Sequence, residues 1–463
     1  MMFGRIKKVH FVGIGGIGMS GIAELLLNLG FKVTGSDLES SEITRRLQAK
    51  GAEIMEGHDY ANVDDCDLSV YSSAIERNNV ELEAARNKNI PVISRSEMLA
   101  EILKLKPTSV AVGGTHGKTT TTSMIGAVLT EANLDPTLVV GGVVRSLDVN
   151  AVLGSGDTIV AEADEFDRSF LRLHPTYSVI TTIDMDHMEC YEDQEDLLRA
   201  FAQFANAIPF YGSVVICIDE TFCRQILPNI SRPSITYGFS DRADLQAQEI
   251  EFHEIYSDFK VKRQGRTLGN IHLRLPGGHN VKNALAAVAL GTEMNIDFST
   301  IKQALEKFNG VRRRFEVKGI YDGIMVVDDY AHHPTEVTAT LSSVKSGWDR
   351  RIISVFQPHL YTRTRDFYED FARSLMMSDV AIVTDIYPAR EELIQGVSGE
   401  MIVDSAKAMG HREISWIKEK ADVVRTLADI AKAGDLVITL GAGDIWQVCD
   451  EFVKLLQKQK VSA

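Results

Sequence analysis

Two glycine-rich loops, each between an apolar segment and a segment of helical periodicity, constrain the fold of this chain most strongly. The first follows Val9–Gly13 and precedes Met19–Leu29, after which Phe31–Gly35 again has the composition of a strand. The second follows Ser109–Gly113 and precedes a predicted helix over Thr119–Glu131. A strand, a tight turn and a helix leading to the next strand are typical of parallel sheets with right-handed crossovers. The sequence therefore predicts an α/β fold.

The alternation of strands and helices restarts twice along the 463 residues. Leu105-Lys106-Pro107 is predicted to be a domain boundary, because proline ends helices, and a further restart lies near Arg314. At about 150 residues per domain, the length allows three domains. We predict a Rossmann-like domain over 1–106, a central P-loop ATPase-like domain with a mainly parallel sheet over 107–313, and a Rossmann-like domain over 314–463.

Other short apolar segments are also predicted to be strands, while 241–275 alternates as antiparallel strands do. The predicted strands are Thr158–Ala161, Ser178–Ile183, Val214–Ile218, Ile324–Asp328, Arg351–Phe356, Val380–Thr384 and Leu436–Leu440. Helices are predicted after Pro334 and over Ile445–Leu456.

The composition limits the partners of the chain. Its net charge of −15 argues against general binding to nucleic acid or to anionic membranes, because the mean field repels phosphate. The five cysteines are scattered and contain no C-x-x-C pair, which is typical of thiols in a reducing compartment. No apolar run approaches the ~18 residues of a membrane span. We therefore expect a cytoplasmic protein with small-molecule partners.

The first glycine loop is a candidate diphosphate site. Residues 13–18 read G-I-G-G-I-G, and Asp37 ends the next predicted strand. Glycines let the backbone approach a diphosphate, whose charge the amide end of the helix favours. The acid about 20 residues on suits a ribose. A nicotinamide or flavin dinucleotide, a nucleotide-sugar diphosphate such as UDP, and a tight turn without ligand all remain open.

The second glycine loop carries the strongest chemical signal. Residues 112–120 read V-G-G-T-H-G-K-T-T. Consecutive amides in such a turn form an anion nest, Lys118 can reach the β- and γ-phosphates, and the Thr119 hydroxyl can hold Mg²⁺. The match to G-x-x-x-x-G-K-[ST] is imperfect, because Val112 stands at the first glycine. The pattern still predicts a nucleoside triphosphate site.

Acidic residues follow the predicted strand that ends at Ala161. Glu162 lies at the strand end, where ligands bind in α/β sheets, and Asp164, Glu165 and Asp167 follow. These three are either part of a magnesium site or solvated. His187 follows another strand end and is either a metal ligand or a hydrogen-bonding residue, since Mg²⁺ prefers oxygen.

The two loops and several later motifs resemble the Mur ligase family. The phosphate loop of that family, G-T-x-G-K-[ST], is matched from Gly114 to Thr119. The resemblance extends over essentially the whole chain and includes 71–75, 278–284, 310–315 and 328–336. The segment 356–364 reads F-Q-P-H-L-Y-T-R-T and resembles F-Q-P-H-R-Y-T-R-T of the branch that adds L-alanine, with Leu360 in place of arginine.

The resemblance implies roles for individual residues. The implied catalytic residues are Lys118, Glu162, His187 and Arg314. The implied ATP site comprises Gly114, Thr115, His116, Gly117, Lys118, Thr119, Thr120, Asn280, Asn283, Arg314 and Asp329. The implied UDP-sugar site comprises Gly15, Gly16, Ile17, Gly18, Asp37, Ser72 and Ser73. Tyr330, His359 and Arg363 would bind the amino acid, and Thr119, Glu162 and His187 would hold magnesium, with two ions expected.

The implied reaction is ATP-dependent ligation of L-alanine to the carboxylate of UDP-N-acetylmuramate through an acyl phosphate, by a monomer or homodimer. Three alternatives remain open from the sequence. A related ligase would attach a preformed peptide or another amino acid. A nicotinamide-dependent oxidoreductase would use the first loop but leave the Lys118 loop unexplained. A non-catalytic nucleotide-binding switch would need neither acceptor nor amino acid.

Overall fold

A computed structural model describes residues 3–144, 149–186, 188–389 and 391–462. The predicted metal ligand His187 therefore lies outside the described residues. Backbone contacts divide the chain into two compact units: one comprises 1–249, 259–271 and 281–308, and the other comprises 250–258, 272–280 and 309–463. No helix of the described residues is long and apolar enough to cross a membrane.

The first sheet is parallel throughout, with strand order β3-β2-β1-β4-β5. Its strands are β1 (Lys8–Val12), β2 (Lys32–Asp37), β3 (Glu53–Glu56), β4 (Leu68–Tyr71) and β5 (Val92–Ser94). Its helices are α1 (Ile17–Asn28), α2 (Glu42–Ala49), α3 (Val80–Asn87) and α4 (Arg95–Leu103). Val9 and Phe11 of β1 are fully buried against apolar residues of α1 such as Ile22 and Leu26. The order reverses beside β1, so the loop after β1 lies at a switch point, where such folds bind ligands.

The second sheet has ten strands in the order β15-β14-β13-β12-β11-β10-β6-β9-β7-β8. Its strands are β6 (Thr108–Gly113), β7 (Thr137–Val144), β8 (Val149–Val152), β9 (Thr158–Glu162), β10 (Tyr177–Ile180), β11 (Ser213–Cys217), β12 (Ser234–Gly238), β13 (Leu245–His253), β14 (Tyr256–Arg263) and β15 (Arg266–Leu273). Its helices are α5 (Lys118–Glu131), α6 (Gln194–Asn206), α7 (Thr221–Ile226), α8 (Gly278–Glu293) and α9 (Phe298–Lys307).

The central part of this sheet is parallel, and β8 pairs antiparallel with β7. Two-residue turns join β13, β14 and β15, which are neighbours in the sheet. Gln264 and Gly265 both have positive φ, 48° and 80°, as a tight hairpin turn requires. The antiparallel pattern predicted for 241–275 fits these connections, which are too short for a parallel crossover.

The third sheet has the strand order β16-β17-β21-β18-β19-β20, with β16 antiparallel to β17 and the other pairs parallel. Its strands are β16 (Glu316–Tyr321), β17 (Ile324–Asp329), β18 (Arg351–Phe356), β19 (Val380–Val383), β20 (Ile414–Trp416) and β21 (Asp435–Leu440). Its helices are α10 (Pro334–Gly347), α11 (Tyr361–Leu375), α12 (Glu400–Ala408), α13 (Lys420–Ile430) and α14 (Trp446–Ser462). The predicted fold class, three α/β domains with mainly parallel sheets, is confirmed.

One predicted strand was too long. The apolar run Ser178–Ile183 continues past the end of β10, which stops at Ile180. The next residues bond to the second glycine loop instead, since Thr182 O accepts a hydrogen bond from Thr115 N at 2.9 Å.

The remaining short helices are 3-10 turns, at Tyr60–Val63, Phe166–Arg172, Met188–Cys190 and Leu227–Asn229.

Candidate active site

The second glycine loop connects β6 to α5 and is held tightly against the end of β10. Gly114 and Gly117 have φ of 130° and 82°, a region that favours glycine. A methyl group at Gly114 would lie 2.2 Å from Thr181 Oγ1, and one at Gly117 would lie 2.6 Å from Asn283 Oδ1. The main chain therefore turns where no side chain fits. The amides of Thr115 and His116 are used within the protein, since they donate to Thr182 O at 2.9 Å and to Thr182 Oγ1 at 2.8 Å. The amides of the first turn of α5, which have no partner within the helix, are the ones that favour an anion.

Lys118 is the first residue of α5, and its Nζ is surrounded by oxygen atoms. Its Nζ donates to Gly114 O at 2.6 Å, to Thr115 O at 3.2 Å and to Glu165 Oε2 at 2.6 Å. Burial by itself would lower the pKa of Lys118, but the negative charges of Glu165, Asp164 and Glu162 outweigh burial and raise it. The lysine is therefore a cation at neutral pH, with Glu165 as its carboxylate partner.

The acids after β9 separate into three environments. Glu165 is buried beside Lys118, Asp164 pairs with Arg95 at 3.2 Å, and Asp167 is exposed to solvent. Glu165 is therefore not solvated, whereas the Asp164 side chain is 38% exposed within its ion pair and Asp167 is solvated. The chain turns sharply here, since Asp167 and Arg168 both have a φ of 54°.

Thr119 and Glu162 form an oxygen-rich site beside the lysine. Thr119 Oγ1 donates to Glu162 Oε2 at 3.2 Å, and Gly141 N donates to Glu162 Oε1 at 2.7 Å. The parallel pairing of β6 with β9 sets Glu162 opposite Val112, near the end of β6. This register brings Glu162 close to Thr119, which follows the glycine loop after β6. A hydroxyl and a carboxylate are the hard oxygen donors that Mg²⁺ takes, so the donor set fits the predicted metal.

Other predicted nucleotide-binding residues are buried or held by hydrogen bonds. Asn283 Oδ1 accepts from Thr121 Oγ1 at 3.2 Å, which ties α8 to α5. His116 Nε2 lies 3.2 Å from Asp184 Oδ2, and Thr120 is buried in the first turn of α5. Asn280 is also buried, and its Nδ2 donates to Pro276 O at 2.8 Å, so this amide stabilises the start of α8.

The first glycine loop is supported by the neighbouring strand. Gly13 N and Ile14 N both donate to Ser36 O, at 2.9 and 3.0 Å. Asp37 Oδ2 accepts from Gly15 N at 2.7 Å, so the predicted ribose-binding acid contacts the loop itself. Gly16 precedes α1 and supplies no side-chain cap. Ser72 lies against Gly13 on the other side, where its Cβ would be 3.3 Å from an added methyl.

The remaining residues predicted for this site are more accessible. Ile17, the first residue of α1, is 42% exposed, and Gly18 follows it in the first turn. Ser73 is exposed in the segment after β4. The loop therefore presents an open surface at the switch point of the first sheet.

The second compact unit contains the residues predicted to bind phosphate, ribose and amino acid. The guanidinium carbon atoms of Arg313 and Arg314 each lie 5.0 Å from the centre of the Tyr330 ring. Asp329 accepts from Phe315 N and Ala331 N, both at 2.7 Å. Burial raises the pKa of Asp329 to about 6, although Arg314 and the two amides lower it. Asp329 thus fixes the turn that carries Arg314 and Tyr330.

The predicted amino-acid motif connects β18 to α11. His359 stacks on Tyr387, with ring centres 5.7 Å apart and planes 13° apart, and Arg363 is buried in the first turn of α11. Leu360 has a φ of 69° and a ψ of 138°, a conformation that only glycine adopts without strain. Its amide donates to Tyr387 O at 3.0 Å, so the segment around Tyr387 holds the strained turn.

Comparison with known proteins bears on all three sheets. Family models described as "Mur ligase family, catalytic domain", "Mur ligase middle domain" and "Mur ligase, glutamate ligase domain" match residues 8–107, 112–291 and 313–443. A UDP-N-acetylmuramate–L-alanine ligase of Geotalea daltonii is 49% identical over 99% of this chain and 100% of its own length. The chain belongs to the Mur ligase family.

Other relatives of this Mur ligase agree. A UDP-N-acetylmuramate–L-alanine ligase of Salinibacter ruber is 48% identical over 98% of this chain and 96% of its own. The crystal structure of a UDP-N-acetylmuramate-alanine ligase from Thermotoga maritima is 31% identical, covers 98% of this chain and 99% of its own, and has a TM-score of 0.84. A murein peptide ligase from Psychrobacter arcticus, 24% identical over 97% of this chain and 98% of its own, shares the fold with a TM-score of 0.71. The resemblance stated from the sequence motifs is confirmed.

Several contacts in this Mur ligase were not foreseen from its motifs. Glu165 was open between two interpretations, and its partner Lys118 lies 47 residues earlier in the chain. Glu391 was not singled out, yet its carboxylate accepts from Thr362 N at 3.0 Å and from the Thr362 hydroxyl. It therefore caps the helix that carries Arg363. The acid lies in a segment with no strong periodicity, and no local signal marks it.

Proposed function

We propose that this Mur ligase uses ATP to join L-alanine to the carboxylate of UDP-N-acetylmuramate, giving UDP-N-acetylmuramoyl-L-alanine, ADP and phosphate. The observation that carries the proposal is the full-length similarity, at 49% identity, to a relative named for that reaction. The arrangement of Lys118, Thr119 and Glu162 around the second glycine loop supports the phosphoryl-transfer part.

The chemistry requires activation of the acid. A carboxylate does not react with an amine at neutral pH, because oxide would have to leave. In the proposed first step, a carboxylate oxygen of UDP-N-acetylmuramate attacks the γ-phosphorus of ATP, and ADP leaves with the electrons of the broken P–O bond. In the second, the amine of L-alanine attacks the acyl carbon, phosphate leaves, and the nitrogen loses a proton.

The Lys118 loop is proposed to stabilise the first step. The γ-phosphate would take the place of the Glu165 carboxylate as the main partner of Lys118, and the amides of the first turn of α5 would contact the other phosphate oxygens. Fixed positive charge is the main catalytic device in phosphoryl transfer. Magnesium, when bound, would neutralise phosphate charge, and Thr119, Glu162 and His187 are proposed to hold it, with two ions expected.

The other substrates are assigned to the remaining predicted sites. UDP is proposed to bind at Gly15–Gly18 with Asp37, Ser72 and Ser73. Asn280 and Asn283 are proposed to border the adenine or the metal site. Asp329 is proposed to contact the ribose of ATP, and Arg314 its phosphates. Tyr330, His359 and Arg363 are proposed to position L-alanine, with Arg363 binding its carboxylate as a bidentate fork. Orienting the amine against the acyl phosphate would supply much of the remaining rate.

The proposed domains are 1–106 for the nucleotide sugar, 107–313 for ATP and 314–463 for the amino acid. We propose that the enzyme acts in the cytoplasm, as a monomer or homodimer, on these small molecules and not on nucleic acid or membranes.

An ADP-release assay tests the proposal. The protein is given ATP, magnesium and UDP-N-acetylmuramate, with L-alanine, glycine, L-serine, a tripeptide or no amine. We expect ADP release that depends on both acceptor and L-alanine. Preference for the tripeptide would favour the peptide-adding alternative, and release independent of the acceptor would contradict ligation.

A further inference from the structure

Arg95 connects the first glycine loop to the acids that follow β9. It is the first residue of α4, and a methyl group added at Gly18 would lie 3.0 Å from its Nη1 and 3.3 Å from its Cδ. On its other side, Nη2 donates to Asp164 Oδ2 at 3.2 Å. The guanidinium therefore lies between the first turn of α1 and the acidic segment beside Lys118.

The position beside Gly18 matters because of what the first turn of α1 offers. Gly18 is the second residue of α1, and its first turn contains no acidic residue. Amides of a helix first turn have no partner within the helix and favour a phosphate. An anion held there would lie within reach of the Arg95 side chain. A guanidinium suits this task, since its donors match two phosphate oxygens at once.

The Arg95–Asp164 pair is suited to exchange. The two side chains are 21% and 38% exposed, and ion pairs in such accessible positions contribute little to stability. They line a small pocket whose wall is formed by Leu99, Phe170 and Leu173. A doubly charged diphosphate would therefore compete well with one carboxylate for Arg95.

A neighbouring arginine, Arg172, already fills the purely structural role that Arg95 could otherwise have. Arg172 belongs to the 3-10 turn after β9, and its Nη1 donates to Ser94 Oγ at 3.1 Å and to Glu97 Oε2 at 3.3 Å. Arg172 thus links the same segment to the same helix, whereas the three atoms nearest to a methyl added at Gly18 all belong to Arg95. It provides a matched control for charge and location.

We propose that Arg95 is a substrate-binding residue that holds the diphosphate of the nucleotide sugar, and that Asp164 positions it while the site is empty. The inference rests on the proposed function, in which the first glycine loop binds UDP. It adds a cationic side chain to a site otherwise made of the glycine loop, the Asp37 carboxylate and two serines.

The two residues should have effects of opposite sign. Loss of a charge-assisted hydrogen bond to phosphate should weaken UDP binding by Arg95→Ala about 10- to 100-fold. Asp164→Asn removes a competitor for the guanidinium and should tighten UDP binding, by up to about 5-fold. A structural tether would instead weaken binding in both variants.

The experiment is calorimetric binding to the full chain without ATP. The ligands are uridine, UDP, UDP-N-acetylglucosamine and UDP-N-acetylmuramate, and the variants are Arg95→Ala, Arg95→Lys, Asp164→Asn and Arg172→Ala. We expect Arg95→Ala to lose affinity for the three diphosphates and not for uridine, Arg95→Lys to lose less, and Arg172→Ala to bind as the wild type. Circular dichroism checks the fold, and Arg95→Lys carries the test if Arg95→Ala does not fold.

The outcomes separate the inference from the proposed function. Wild-type protein that binds none of the uridine nucleotides would contradict the proposed function itself. Wild-type affinity for UDP in both Arg95 variants would overturn the inference alone. A loss seen with UDP-N-acetylmuramate but not with UDP would assign Arg95 to the sugar carboxylate and overturn the diphosphate contact.

Discussion

The buried pair of Lys118 and Glu165 makes a strong prediction about stability and activity together. The Nζ–Oε2 distance is 2.6 Å, and the side chains are 17% and 2% exposed. Removing one partner of a buried ion pair costs about 3–5 kcal/mol, because a buried charge is left without compensation. We therefore expect Lys118→Met to lower the free energy of unfolding by about 3 kcal/mol, at the lower end because the lysine is partly solvated.

The partner substitution should cost less. In Glu165→Gln, the Lys118 ammonium keeps the carbonyl oxygens of Gly114 and Thr115 and the field of the other nearby acids. A loss of about 1–3 kcal/mol is expected, as for a weakened hydrogen bond to a charged group. The double variant removes both charges and should lose less than the sum of the two single losses, because neither buried charge is left without compensation.

The ligase activities of the two single variants and the double variant should not follow their stabilities. Glu165→Gln should keep most ligase activity, whereas Lys118→Met and the double variant should both lose at least about 10²–10³ in kcat, because each lacks the cation on the γ-phosphate. Urea unfolding gives the stabilities, and ADP release gives the rates. The pair of Lys282 and Glu220, at 2.7 Å but 25% and 30% exposed, is a control in which the coupling should stay below about 1 kcal/mol.

Two results would refute this reasoning. Additive losses in the double variant would show that the two charges are not energetically coupled. Recovery of activity in the double variant would show that Lys118 acts only as the partner of Glu165.

Three further predictions follow from the same contacts. Glu162→Gln should raise the magnesium concentration for half-maximal activity about 10- to 100-fold while leaving UDP affinity unchanged; an unaltered magnesium titration would remove Glu162 from the metal site. Because burial raises the pKa of Asp329 from its ordinary 3.8 to about 6, the folded state binds this proton more tightly than the unfolded state. The free energy of unfolding of the wild type relative to Asp329→Asn should therefore fall as pH rises through that range and level off above it, and a difference independent of pH would contradict the raised pKa. Glu391→Ala removes the cap on α11, which should lower the free energy of unfolding by about 1 kcal/mol and raise KM for L-alanine but not for ATP. Glu392→Ala changes an exposed neighbour and is the control. Equal KM values for L-alanine in the two variants would contradict the positioning role of Glu391.

The fold could be predicted largely because its signals are local. Short apolar runs ended by glycine turns mark the strands of parallel sheets, and β1, β6 and β18 lie within a residue of their predicted bounds. The same rule placed the end of β10 at Ile183, three residues beyond its actual end at Ile180. Residues 181–183 remain apolar or small but leave the sheet, because the glycine loop, more than sixty residues earlier in the chain, supplies their hydrogen-bond partners.

The site was predictable only in part, for a related reason. Gly-Lys-Thr and the acid at a strand end are recognisable because backbone geometry fixes their roles. The partner of Lys118 is 47 residues away, and the partner of Thr362 is 29 residues away. Whether those acids are buried or solvated depends on turns that periodicity does not reveal. Asp329 shows another limit, since its two bonds to backbone amides give it a structural task that its sequence context did not suggest.

The Lys118 loop is proposed to direct a phosphoryl group onto the acid before the amine attacks. UDP-N-acetylmuramate labelled with ¹⁸O in both carboxylate oxygens tests it directly, with mass analysis of the phosphate released during turnover with ATP and L-alanine. Transfer of the phosphoryl group to the acid should leave one ¹⁸O atom in each phosphate and one in the new amide. Phosphate free of label, formed together with the amide, would contradict it.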